Sequence, residues 1–314
     1  MVQESVLGVL GGYVSICAVI AVGYVIRRIG FLDAGAESTL NRVTVFVATP
    51  ALYFGVLVRT DISLLLSPYA LATLISLFVT AGLAVAVLQL GRARPDARAA
   101  TLLVGASINP NSGNIGIPIG VAVLGSASFL APVILLQVVL VTPAIMVLLT
   151  LRHRNASIRR TLIAAAFNPV VVAAVVGATV ACFSVQLPKA LLAPIDLLGD
   201  ASIPLMLLAF GMSLRGARPW EQLRRETWII LVPTILKTLV LPLTAFAAGV
   251  ALGVTGTELL ALAIIGALPV AQNLYALAHS YGAAPDAIRS IVILSTALSL
   301  PALIAITLAW GAMN

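Results

Sequence analysis

The sequence predicts an all-α polytopic membrane protein with ten transmembrane helices in two inverted five-helix repeats. Three observations carry that prediction. The 314 residues are 61% hydrophobic and 9% charged, with a mean hydropathy of +1.12, whereas a soluble domain carries about 25% charged residues. Fourteen of the eighteen basic residues fall in one alternating set of loops. Each half of the chain places a proline four residues before an asparagine inside an apolar stretch: Pro110 and Asn114, then Pro269 and Asn273.

A chain this apolar cannot cover its surface with polar groups, so the composition excludes a soluble enzyme, a disordered chain and a nucleic-acid-binding module. The formal net charge of +7 fits basic loops facing the cytoplasm, not a nucleic-acid partner. At about 20 residues per span, the length holds roughly ten helices and almost no soluble domain.

The spans read, in order, as 5–26, 37–58, 68–90, 97–124, 128–151, 161–183, 190–214, 227–252, 256–282 and 287–311. The first lacks a basic segment ahead of it and is long enough to cross, so it reads as a span and not a cleavable signal. The second holds Pro50 and the seventh Pro204, in matching Thr-Pro-Ala-Leu and Ile-Pro-Leu-Met contexts. The fourth and ninth are too long and too polar at their centres to be single straight helices. About nine residues, Arg152 to Arg160, join residues 1–151 to residues 157–314. Five spans per half force opposite orientations, and inverted repeats of this kind mark secondary transporters.

Orientation follows from the loops. Arg27, Arg28, Arg92, Arg94, Arg98, Arg152, Arg154, Arg159, Arg160, Arg215, Arg218, Arg224, Arg225 and Arg289 lie on one side, against Arg59 and Lys189 on the other. The positive-inside rule makes the first side cytoplasmic, so both termini face outward. The abundance of Arg, Ala, Val and Leu suggests a high-GC bacterium, hence its inner membrane.

The most informative segment is Ile108-Asn-Pro-Asn-Ser-Gly-Asn-Ile-Gly-Ile-Pro118. Proline removes a backbone donor and clashes with the preceding turn, and Gly and Asn favour non-helical geometry. Residues 268–275 repeat the device. Irregular backbone at membrane depth is tolerated only where protein buries it or it lines a wet cavity. A break bares amides at the start of the second half-helix, the end that carries partial positive charge. If the two breaks cross, these ends and the Asn114 and Asn273 amides converge on a site suited to a small organic anion. Asn109, Pro110, Asn111, Asn114, Pro269, Gln272 and Asn273 are the candidate substrate-binding residues; the alternative is a pair of proline kinks packed for shape.

Ionisable residues inside spans are candidates by default. Asp200 and Lys237 each lie about ten residues into a span, near the midplane. Asp200 is the candidate proton or sodium site and Lys237 the candidate anion attractor; alternatively they neutralise each other. Asp196 reads as interfacial, Arg42 as close enough to the cytoplasmic end to snorkel, and His279 as interfacial. Cys17 and Cys182 lie within spans and the chain has two histidines, so no disulfide, metal or cofactor is expected. No Gly-x-x-x-x-Gly-Lys-Ser/Thr, rhomboid-type Gly-x-Ser-Gly or Gly-x-Gly-Asp arrangement occurs, so neither an ATP-driven pump nor an intramembrane enzyme is expected.

Three stretches resemble the auxin efflux carrier family, in its short bacterial form related to plant PIN-formed carriers. They are Gly113-Asn114-Ile-Gly116-Ile-Pro118; Ser202-Ile-Pro204-Leu-Met-Leu-Leu-Ala-Phe-Gly211-Met-Ser213; and Pro269-Val-Ala-Gln-Asn273-Leu-Tyr275-Ala-Leu-Ala278-His-Ser-Tyr281-Gly282. Phe167-Asn168-Pro169, opening span six, also fits. The resemblance implies crossed broken helices four and nine, on the general plan of bile-acid:sodium symporters and Na⁺/H⁺ antiporters. It implies a scaffold from about 5–58 and 161–214, a mobile transport domain from about 68–151 and 227–311, elevator-like alternation and a homodimer through the scaffold. The substrates it implies are organic anions, auxin in plants and dicarboxylates such as malate or malonate in bacteria. The short 152–160 junction departs from the long hydrophilic loop of many plant carriers. A sodium-coupled bile-acid-type symporter and a non-transporting anion receptor are the alternative readings; few carboxylates near either break weigh against the former.

Overall fold

A computed structural model describes residues 2–91, 94–151, 157–215 and 219–313. Arg92, Arg152, Arg154 and Arg218 of the basic set lie outside the described residues. The described chain is helical: α1 (Val2–Arg28), α2 (Gly35–Val58), α3 (Pro68–Leu90), α4 (Ala97–Ile108), α5 (Ser112–Leu124), α6 (Ala127–Leu151), α7 (Ile158–Ala166), α8 (Pro169–Cys182), α9 (Lys189–Ser213), α10 (Pro219–Arg225), α11 (Thr227–Ala251), α12 (Gly256–Ala267), α13 (Asn273–Ser280) and α14 (Pro285–Met313). Six of these (α2, α3, α6, α9, α11 and α14) are long and apolar enough to cross a membrane, or seven spans if α7 and α8 count as one. Large apolar side chains point outward from them: Phe78 is 62% and Leu243 68% exposed, as lipid-facing positions require.

Sequence and structure differ at span six. The expected single span is two helices bent by 54°, and Asn168-Pro169 sits at the bend instead of opening the span. Pro169 cannot donate to the preceding turn, and the Asn168 side chain accepts from the Val170 amide at 2.9 Å, capping a new helix. Asp96 caps α4 in the same way, accepting from the Arg98 and Ala99 amides.

Prolines also shape the long helices. Four π-helical turns, Thr44–Ala48, Ser112–Gly116, Leu136–Val141 and Leu236–Val240, each end two residues before a proline (Pro50, Pro118, Pro143, Pro242). The missing proline donor frees a carbonyl one turn back, and the chain widens so that amides bond five residues back. The Thr142 amide thus reaches the Gln137 carbonyl, and that of Leu241 the Leu236 carbonyl.

Backbones approach closely where small residues permit it. Helix α1 packs along α9, α8 along α2, and α2 against α9. A Cβ on Gly211 would strike the Ile20 carbonyl directly. Thr49 on α2 shares a hydrogen bond with Ser202 on α9 at 2.9 Å. Helix α3 packs on α11, where Thr80 meets Thr244 at 3.1 Å. The buried apolar residues form two clusters, and the segment between α12 and α13 contributes Leu268 to one and Val270 to the other.

Candidate functional site

Helix α4 stops at Ile108 and α5 starts at Ser112; α12 stops at Ala267 and α13 starts at Asn273. The interruptions fall at the two segments whose composition forbids a continuous helix. They pair with each other. Pro110 and Val270 form an isolated antiparallel bridge. The Asn111 amide donates to the Pro269 carbonyl at 2.8 Å, and the Ala271 amide to the Asn109 carbonyl at 2.9 Å. Each break therefore supplies partners that the other's missing helix turn would have provided.

Neighbouring helices satisfy most of what remains. Gln137 Nε2, on α6, donates to Asn109 Oδ1 at 2.8 Å and to the Pro110 carbonyl at 2.5 Å. Ser295 Oγ, on α14, accepts from the Val270 amide at 3.1 Å. Lys237, fully buried on α11, donates from Nζ to the carbonyls of Gly266 and Leu268, both at 2.5 Å. The Asn111 side chain caps α5, accepting from the Asn114 amide at 3.3 Å. Asn114 Nδ2 touches Met206 Sδ on α9, and a Cβ on Gly113 would meet the Tyr53 hydroxyl of α2 at 2.7 Å. This side of the crossing faces α2 and α9.

Of the four buried side-chain polar atoms without a partner among the described residues, three lie here, Asn111 Nδ2 and both side-chain polar atoms of Gln272; the fourth is Arg289 Nε on α14. Asn111 is 2% and Gln272 7% exposed. A buried amide without a partner costs about 1–3 kcal/mol, so leftovers concentrated at one place call for an explanation. Gln272 precedes α13 without capping it through its side chain.

The sequence-predicted residues are thus placed unevenly. Asn109, Pro110, Asn111, Asn114, Pro269 and Gln272 are gathered at the paired breaks. Asn273 is exposed at the start of α13 and reached by Asn109 Nδ2 at 3.5 Å. Lys237 joins the breaks through main-chain carbonyls. Its neutralisation by Asp200 does not occur: Asp200 is exposed on α9 and, among the described residues, makes no ion pair. Asp196, one turn away, pairs instead with Arg59 at 2.7 Å. His279 is exposed at the end of α13, edge-on to Tyr275. No group of metal-ligating side chains occurs among the described residues.

Gln137, Ser295, Tyr53 and Met206 escaped the sequence reading. Gln137 carried a signal, as the one amide side chain in an otherwise apolar span; the other three carried none. A cleft of about 950 Å³ lies between α3, α4 and α6, with Arg94 and Ile108, the last residue before the first break, among its lining. At the crossing itself, a cavity of about 20 Å³ touches Pro110 and Gly266, too small for more than a single water.

A family model described as "Membrane transport protein" matches residues 9–307. Two relatives match over nearly their whole lengths. One, named "Uncharacterized transporter", from Methanothermobacter thermautotrophicus, is 25% identical over 290 residues, 92% of this chain and 94% of the relative. The other, named "Putative malonate transporter", from Rhizobium meliloti, is 26% identical over 289 residues, 89% of each chain.

Proposed function

The chain belongs to the membrane transport protein family, the auxin efflux carrier family that its motifs resemble, and from that premise we propose that it is a secondary carrier of small organic anions. The substrate is a carboxylate of the dicarboxylate class, and the relative named for malonate makes malonate the first to try. The observation that carries this reading is the set of unpartnered buried amides, Asn111 Nδ2 and Gln272 Nε2, at the paired breaks. Amide N–H groups are donors that carboxylate oxygens accept. The start of α13, which no side chain caps, adds the positive end of a helix dipole.

In this reading Asn111, Gln272, Asn114 and Asn273 face the anion. Asn109, Pro110 and Pro269 are the frame, since their polar atoms are already bonded within the crossing. The molecule has ten spans in two inverted repeats, counting α4 with α5, α7 with α8 and α12 with α13 as one span each. The matched breaks support this: Pro110 with Pro269 and Asn114 with Asn273, both 159 residues apart. Spans one, two, six and seven form a scaffold and dimer contact, and the other six move against it as an elevator in the bacterial inner membrane, termini outward. Tyr53 and Met206, on scaffold helices, cover the anion side in the present conformation and withdraw as the moving part slides. Asp200 takes up the coupling proton, or the membrane potential alone drives transport.

Uptake of labelled malonate, malate and indole-3-acetate into proteoliposomes tests this. The expected result is saturable uptake of a dicarboxylate, accelerated by an inward proton gradient or by membrane potential. Acceleration by a sodium gradient alone would make the protein a bile-acid-type symporter, and binding without uptake would make it a receptor.

A further inference from the structure

Lys237 is a buried ammonium without a carboxylate. Its side chain is fully buried, and no ion pair reaches it among the described residues. Its two partners are main-chain oxygens, Gly266 and Leu268, both at 2.5 Å. These carbonyls flank Ala267, the last residue of α12, where the interrupted helix has lost its downstream donors. The amide of Val270, which would bond the Gly266 carbonyl in a continuing helix, goes to Ser295 instead. The charge is balanced by the negative end of the α12 dipole. Main-chain oxygens converging on a compact cation at a helix break are the coordination that proteins offer to free monovalent cations.

The other break has no such group. At the 159-residue offset that matches Pro110 with Pro269 and Asn114 with Asn273, the position corresponding to Lys237 is Phe78, an apolar side chain that is 62% exposed. The lysine is therefore a specific addition to the second break, not a requirement of broken helices in general.

We infer that Lys237 is a tethered cation: its ammonium fills a monovalent-cation site made by the Gly266 and Leu268 carbonyls, and so holds the second break open without a free ion. Lys237 is a positioning residue, acting on the anion site through the backbone that leads to Gln272. Removing the side chain while leaving the carbonyls in place creates a site for a small free cation.

The test uses the purified full-length wild type, Lys237→Ala and Lys237→Met, melted in chloride salts of ammonium, methylammonium, sodium and choline at equal ionic strength. The wild type is expected to melt at the same temperature in all four salts. Lys237→Ala melts lower than wild type in choline and regains about 4 °C in ammonium or methylammonium. Lys237→Met, which fills the space without charge, gains nothing from either. In proteoliposomes Lys237→Ala loses malonate uptake about tenfold and recovers part of it with ammonium. Ammonium-independent melting of Lys237→Ala, a Lys237→Met protein equal to wild type in stability and uptake, or a wild type stabilised by ammonium or sodium over choline would each overturn the inference. The melting measurements need no substrate, so they stand or fall separately from the proposed transport activity.

Discussion

The amide of Asn111 donates to the carbonyl of Pro269 at 2.8 Å, joining two helix breaks that lie far apart in sequence. With its counterpart from Ala271 to Asn109, this bond pairs the two breaks main chain to main chain. The side chains of Asn111 and Gln272 are left with unused donors, and that division of labour separates residues that build the crossing from residues proposed to use it.

Gln137 and Gln272 make the cleanest contrast. Gln137→Leu strips the Pro110 carbonyl and Asn109 Oδ1 of a donor, so it should destabilise the protein by about 1–3 kcal/mol. Gln272→Leu removes side-chain atoms that have no partner, so its melting temperature should equal or exceed that of wild type. Thermal unfolding of both variants in detergent checks this; equal losses would mean that Gln272 has a structural partner.

Asn114→Ala and Asn273→Ala should each reduce substrate uptake about tenfold while leaving protein yield and membrane insertion intact. Asn114 loses little packing, since its polar contacts are the Met206 sulfur and the Asn111 cap. Wild-type uptake by both would reduce the crossing to a packing device.

Gly266 is the close approach that brings Lys237 to its carbonyl partner. A Cβ there would sit 2.6 Å from the Cα of Pro242, a backbone atom that cannot step aside. Gly266→Ala should cost about 1–3 kcal/mol by overpacking. A melting temperature within a degree of wild type would show that α11 and α12 can separate freely.

Orientation is open to chemical labelling. Cys17 and Cys182 are both exposed, so they are first replaced by serine. A single cysteine at Lys189 should then react with an impermeant maleimide from outside intact cells, and one at Arg160 only after permeabilisation. The reverse pattern would invert the topology.

The breaks were legible because Pro110, Gly113 and Pro269 are incompatible with a helix wherever they fall, a local rule that needs no tertiary knowledge. The bend at Asn168-Pro169 obeys the same rule, but the apolar run alone does not place the preceding turn. Partners are a different matter. Nothing local distinguishes the Lys237 that reaches carbonyls 29 and 31 residues ahead from one that would meet Asp200. Ser295 and Met206 look like ordinary span residues, because their roles depend on which helix lies opposite. Asp200 was legible as a charge in an apolar span, and its exposed setting on α9 leaves its task to experiment.

The most direct test of the central claim is the concentration dependence of labelled malonate uptake by wild type and Gln272→Leu at matched protein density. If the unpartnered amide binds the anion, wild-type uptake saturates and the variant's KM rises about tenfold, the worth of one lost hydrogen bond, with melting temperature unchanged. Saturable uptake with the same KM in both proteins would contradict the placement of the site at the crossing.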